Sequence, residues 1–146
     1  FKKADFLIVG ENYENINKYK NILFQDRQSN VKWIIKYIPD NEISLYFSAS
    51  DYIVLPYKTA SQSGIVPMAY HFKKPVIVSK IPGLEEIVLN KETGYIFNHL
   101  DVGDLKTILE SCIKNESNIS LRKIEEFKNK LSTENFTQKL ITYINA

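Results

Sequence analysis

Cysteine is almost missing from this sequence: Cys112 is the only one in 146 residues. A lone thiol excludes an intramolecular disulfide and a multi-cysteine metal site, and it fits a reducing compartment. Histidine is scarce as well, with only His71 and His99, so metal chemistry is poorly supplied. No apolar run approaches the ~20 residues needed to cross a bilayer. Phe1-Lys2-Lys3 leads straight into a strand-like segment, which leaves no room for a signal peptide. Charge of one sign is also lacking. Nineteen basic residues against 17 acidic ones give +2, too even a balance to point to nucleic acid or an acidic membrane. The nearest things to basic clusters, Lys2-Lys3, Lys73-Lys74 and Lys128–Lys130, read as solvated faces. The first residue is not Met, so the sequence reads as a piece of a longer protein.

What is present is an alternation. "DFLIVG" (Asp5–Gly10), "VKWIIKYI" (Val31–Ile38), "DYIVLPY" (Asp51–Tyr57), "PVIVS" (Pro75–Ser79) and "TGYIF" (Thr93–Phe97) are short apolar runs without period-two polarity. That is the pattern of strands buried on both faces. Between them lie segments at helical spacing: residues 12–25 with Tyr13, Ile16, Leu23 and Phe24, the stretch from Pro39-Asp40 with Ile43, Tyr46 and Phe47, the stretch from Ser63 to Phe72, and "PGLEEIVL" after Ile81. From Asp101 the pattern is helical throughout, in three segments near Val102–Lys114, Ser120–Lys130 and Thr133–Ile144. The expectation is an α/β fold: a doubly wound parallel sheet of about five strands, Rossmann-like, with a helical C-terminus, forming one domain over residues 1–146.

Ligands of such a sheet collect beyond the carboxyl ends of the strands. The loops there are Gly10–Asn12, Tyr37–Asn41, Pro56–Gly64, Ser79–Gly83 and Asn98–Asp101. Pro56–Gly64 is the most suggestive. A helix starting near Ser63 leaves its first amides without intrahelical partners, and these carry about half a positive charge. Gly64 lets a ligand approach the backbone, and Gln62 and Ser63 add hydrogen bonds, which outlines a phosphate site. The plainer alternative is that Gly64 permits a tight turn and Ser63 caps the helix. Met68 and Phe72 read as core, and Lys58 as either a phosphate partner or an exposed loop lysine.

The run Ser50–Val88 resembles the donor-binding half of a GT-B glycosyltransferase, of the glycosyltransferase family 4 (group 1) type. "SASDYIVLPY", "TASQSGIVPMAYHFKKPVIVSKIPGLEEIV" and "ETGYIF" follow the family's strand, loop, helix and strand motifs in order and without a gap. "FLIVG", "IPDNEISLYFSASD" and "STENFTQKLITYI" are similar to the flanking motifs. One departure stands out: the family's paired glutamates, seven residues apart between them, fall on Ala60 and Met68, neither of which accepts a hydrogen bond through its side chain. The chain instead has the sub-pattern P-Y-x-x-x-x-Q-S-G at Pro56-Tyr57 and Gln62-Ser63-Gly64.

The resemblance implies one half of a two-domain enzyme. In it a sugar moves, with retention of configuration, from a nucleotide diphosphate sugar to a saccharide or lipid-linked acceptor held by an N-terminal domain outside this sequence. It implies diphosphate contacts at Gln62, Ser63, Gly64 and Ile65, nucleoside contacts at Tyr37, Ile38 and Met68, and candidate sugar or phosphate contacts at Lys58, Ala60 and Glu86. No metal and no cofactor beyond the donor is implied, nor is nucleic acid a partner. A cytoplasmic enzyme, touching the inner face of the membrane only peripherally, follows, and the Lys-, Asn- and Ile-rich composition suits a bacterial source making capsule or other surface polysaccharide. Two rivals are a non-catalytic nucleotide- or partner-binding module derived from the same family, and a receiver-type signalling domain. The latter needs an acidic cluster after the first strand and an aspartate ending the third. Here Gly10-Glu11 and Leu55-Pro56 occupy those places.

Overall fold

The computed structural model describes residues 4–12, 15–17, 19, 30–61 and 63–132. The chain divides into two compact units, Phe1–Ser44 and Leu45–Ala146. The helix expected over residues 12–25 lies mostly outside the described residues, as does the final helix expected at Thr133–Ile144.

In the first unit, β1 (Phe6–Gly10) and β2 (Val31–Ile35) pair in parallel, with Phe6 opposite Val31 and Gly10 opposite Ile35. Among the described residues the backbone of β1 has a partner on one edge only, and Leu7 and Ile8 are each 40% exposed. The expectation of burial on both faces therefore fails for this strand. A two-stranded ribbon has too little surface to enclose its own side chains. Helix α1 (Asp40–Ala49) follows, opening on Asp40 as its sequence suggests, with Lys36 and Glu42 paired at 2.8 Å just before and inside its first turn.

The second unit holds a three-stranded parallel sheet in the order β3 (Ile53–Leu55), β4 (Val76–Ser79), β5 (Gly94–Phe97). The connections supply α2 (Ile65–His71) between β3 and β4 and the short α3 (Pro82–Glu85) between β4 and β5. Helices α4 (Val102–Ile113) and α5 (Leu121–Lys130) complete it. All four residues of β4 are buried, as its unbroken apolar sequence predicts. Alternation then sorts them. Val76 and Val78 enter one cluster with Leu55, with Val66, Ala69 and Tyr70 of α2, and with Ile124 of α5. Ile77 enters the opposite cluster with Phe97 and Cys112, against Leu105, Ile108 and Leu109 of α4. The sheet is thus covered on both faces. Each large aliphatic side chain so buried contributes about 1.5–3 kcal/mol.

Helix ends follow local chemistry unevenly. Asp101 caps α4 through its carboxylate, which accepts from the Asp104 amide at 3.0 Å. Ser120 stands at the cap of α5 yet makes no side-chain cap bond. The helix expected over Pro82–Leu89 stops at Glu85, because Leu89 instead turns to meet Thr93: its amide donates to Thr93 Oγ1 at 3.0 Å.

Candidate functional site

Strands β3, β4 and β5 run in register, Leu55 beside Val78 and Ser79 beside Phe97, so their carboxyl ends open on one side of the second unit. The loop leaving β3 leads to α2. That helix begins at Ile65, two residues later than the expected start at Ser63, with Gly64 as its N-cap at φ −69° and ψ −17°. No side chain caps it. The first described bond that closes its first turn is Met68 N–H to the Gly64 carbonyl, at 3.3 Å. Pro67 has no N–H, so the unpaired donors of the first turn are the amides of Ile65 and Val66.

Two further observations surround these amides. Ser63 Oγ is buried and has no hydrogen-bond partner, a state that costs about 1–3 kcal/mol when left unmet. Gly64 has an ordinary φ, and a Cβ placed on it would meet nothing within 4 Å. Nothing in the described fold asks for glycine there: the space above it is open. The tight-turn explanation for Gly64 is thereby removed, since the backbone conformation is one that any residue adopts.

Gly83 presents the opposite case. A Cβ there would lie 2.5 Å from the Ser61 carbonyl oxygen and 2.6 Å from that of Ala60. The first turn of α3, with Pro82 at its start, therefore packs directly on the backbone of the loop that leads to Gly64. Sequence reasoning missed this role of Gly83, because the contact spans more than twenty residues.

The other expected residues are distributed as follows. Ala60 is half-buried and packs against the core under the loop. Lys58 is exposed at the mouth of a cleft of about 160 Å³ that it shares with Tyr57, Ser79, His99 and Asp101 at the strand ends. Met68 is half-buried, one turn into α2 from Ile65. Glu86 is the exposed C-cap of α3, a turn away from Gly83. Tyr37, 64% exposed, and Ile38 belong to the first unit. Gln62 lies outside the described residues. The structure thus brings Ala60, Ser63, Gly64 and Gly83 into one neighbourhood, with Glu86 at the end of the helix that Gly83 opens.

A buried polar pair holds the helix behind this loop. Tyr70, fully buried on α2, places its hydroxyl 2.8 Å from Thr93 Oγ1 and donates to the Ile87 carbonyl at 3.2 Å. Burial pushes the Tyr70 phenol up to about 12, with the Thr93 bond opposing in part. The buried face of α2 is Val66, Ala69 and Tyr70, whereas Met68 and Phe72, expected in the core, are half-buried, and nothing in the sequence marked Thr93 as the partner of Tyr70. Lys74 donates to the Ser48 carbonyl at 3.0 Å and Lys73 pairs with Glu125 at 3.3 Å, both on the exposed surface expected for them. Among the described residues no group of three His, Cys, Asp or Glu could hold a metal ion, and no helix is long and apolar enough to cross a membrane.

The family model described as glycosyl transferases group 1 matches residues 1–131. The chain belongs to that family. Solved structures agree on the fold. Sucrose-phosphate synthase from Thermosynechococcus elongatus superposes with a TM-score of 0.76 at 17% identity, over 95% of this chain and 37% of that one. HepE from Anabaena, solved with UDP and glucose, gives 0.75 at 17% identity, over 97% and 40%. The lipopolysaccharide outer core galactosyltransferase WaaB, in its apo form, gives 0.75 at 15% identity, over 95% and 41%. The group 1 chain described here spans about two fifths of the length of these proteins. No curated protein matches it by sequence.

Proposed function

We propose that this group 1 chain is the donor-binding domain of a glycosyltransferase. In this reading it holds a nucleotide diphosphate sugar whose sugar passes, with retention of configuration, to a saccharide or lipid-linked acceptor. The acceptor is held by a further domain, at the cytoplasmic side of a membrane, in the making of a surface polysaccharide. The observation that carries this reading is the start of α2: a free amide at Ile65, an orphaned buried hydroxyl at Ser63 and open space above Gly64. HepE, solved with UDP-glucose, makes a uridine nucleotide sugar the first donor to test.

As the glycosidic bond breaks, negative charge gathers on the departing diphosphate. Amides already fixed in place stabilise that charge without reorganising, which is where most electrostatic rate enhancement arises. Ile65 donates from the helix start, Ser63 Oγ donates from beside it, and Gly64 keeps the approach clear. Lys58 offers a cation six residues before Gly64. Met68 packs beneath the ribose, and Ala60 and Glu86 lie towards the sugar. The donor is the only small molecule this chemistry requires from the chain.

A second reading is favoured by one specific observation. Ala60 and Met68 carry no carboxylate where the family pattern has glutamates, which suits a module that binds nucleotide without turnover. Calorimetry with UDP and with UDP-glucose tests the shared binding step: the unmodified chain binds, and Gly64→Val, still folded, does not. Equal affinity in the two proteins overturns the α2 site. Transfer or hydrolysis of UDP-glucose by the longer protein then separates an enzyme from a binding module.

A further inference from the structure

The loop between β3 and α2 carries the Ser63 hydroxyl, and hydrogen bonds do little to hold it. Residues 57–61 and 63 make none with one another or with any other described residue. Packing holds the loop instead. Tyr57 and Ala60 rest on the core cluster of the second unit, and the carbonyls of Ala60 and Ser61 lie against Gly83. The hydrogen that Gly83 has in place of a Cβ faces both oxygens, the arrangement of a weak C–H···O contact.

Helix α3 is the fixed side of that contact. Leu84 is fully buried, and Ile81 and Val88 nearly so, in the cluster that also takes Val66, Ala69 and Tyr70 of α2. The amides of Leu84 and Glu85 both donate to the Ile81 carbonyl at 3.0 Å. Just past α3, the Ile87 carbonyl accepts from the buried Tyr70 hydroxyl at 3.2 Å. One side of the contact is anchored in the core, and the other is a loop held by packing alone. An atom added between them moves the loop.

A methyl group on Gly83 would have 2.5 Å to the Ser61 carbonyl oxygen, where a Cβ essentially never comes within 3.0 Å. The loop must retreat by about half an ångström or more, because a packed backbone carbonyl cannot turn aside as a side-chain end can. Ser63 lies two residues further on, and its hydroxyl is the buried polar atom without a partner. A binding group has to be held within ~0.5 Å of its working position, so a retreat of that size reaches the hydroxyl.

We propose that Gly83 is a positioning residue for the Ser63 hydroxyl: having no side chain, it lets the first turn of α3 set where the loop lies. It acts through the loop and not on the ligand. That the hydroxyl serves a diphosphate rests on the transferase reading; that Gly83 sets the loop does not.

Amide NMR of the labelled chain, first without ligand and then titrated with UDP, tests this on three variants. Gly83→Ala, folded, should shift the amides of Ser61, Ser63, Gly64 and Ile65 before any ligand is added, and should weaken UDP at least about fivefold. Leu84→Val loosens the anchor of α3 with the glycine left in place. It should move the same amides and weaken UDP in the same direction, and it carries the test alone should the alanine variant fail to fold. Ile77→Val trims the core on the opposite face of the sheet and should do neither, which separates positioning from a general loss of stability. Unmoved loop amides in both α3 variants overturn the proposal, as does an equal loss of UDP affinity in Ile77→Val. A moved loop with unchanged UDP affinity overturns it too, since Gly83 would then position nothing. If the wild-type chain binds no UDP, the donor reading falls, and the ligand-free shifts alone decide whether Gly83 sets the loop.

Discussion

Tyr70 and Thr93, twenty-three residues apart, share a hydrogen bond of 2.8 Å in the buried interior of the second unit. The same tyrosine ring meets Phe127 of α5 edge-on, at 6.2 Å between centroids. Helix α2, whose start carries the candidate site, is therefore tied near its far end both to the chain entering β5 and to α5.

Removing that tie should have unequal effects from its two sides. Tyr70→Phe deletes one hydroxyl but leaves Thr93 Oγ1 with the Leu89 amide at 3.0 Å, and should cost about 0.5–1.5 kcal/mol. Thr93→Val strands the Leu89 amide and leaves the Tyr70 hydroxyl only its bond to the Ile87 carbonyl, and should cost more, about 1–3 kcal/mol for the amide left unpaired. Urea denaturation of the two variants checks the order. A smaller loss for the valine variant would show that the pair does not carry the load.

Alkali should act through the same group. The folded phenol is held up to about 12 against an ordinary value of 10.0. The folded state therefore keeps a proton that the unfolded chain releases first. Stability from this source is complete below pH 10.0 and is lost as the pH rises towards 12. Tyr70→Phe should flatten that part of the stability–pH curve. An unchanged slope between wild type and variant would assign the alkaline loss elsewhere.

Two glycines should respond in opposite ways to alanine. At Gly64 the backbone is helical and the space is open, so Gly64→Ala should leave folding unchanged or raise it by about 0.4–1 kcal/mol. At Gly83 the new methyl would press on the Ala60 and Ser61 carbonyls, and Gly83→Ala should cost about 1–3 kcal/mol. Thermal melts of both variants decide this. Equal melting temperatures would refute the packing of α3 against the loop.

Ser63→Ala separates folding from binding by sign. Losing a buried hydroxyl without a partner should raise stability, by about 1 kcal/mol. If that hydroxyl serves a diphosphate, affinity for UDP should fall at the same time. A variant that is both less stable and unaltered in UDP affinity would contradict both expectations.

Along α5 the contrast is between two leucine-sized residues three apart. Ile124 is fully buried beneath α2, and Ile124→Ala should cost about 2–5 kcal/mol. Leu121 is 57% exposed, and Leu121→Ala should change stability by no more than about 0.5 kcal/mol. Denaturant midpoints for the pair provide the check.

Local pattern was sufficient for much of this protein. Unbroken apolar runs placed β4 and β5 nearly to the residue, since side-chain burial on both faces leaves no polar position to blur the signal. Asp101 announced the start of α4 because a cap bond reaches only three residues. Pro67 and Gly64 located the beginning of α2 to within two positions for the same reason. What tertiary structure decided was everything carried by distant partners. The exposure of β1 depends on which strands flank it, not on its own letters. The need for glycine at position 83, the freedom at position 64, the isolation of the Ser63 hydroxyl and the pairing of Tyr70 with Thr93 each depend on which atoms stand opposite. Burial and hydrogen bonding are properties of that surrounding, and only the packed chain creates it.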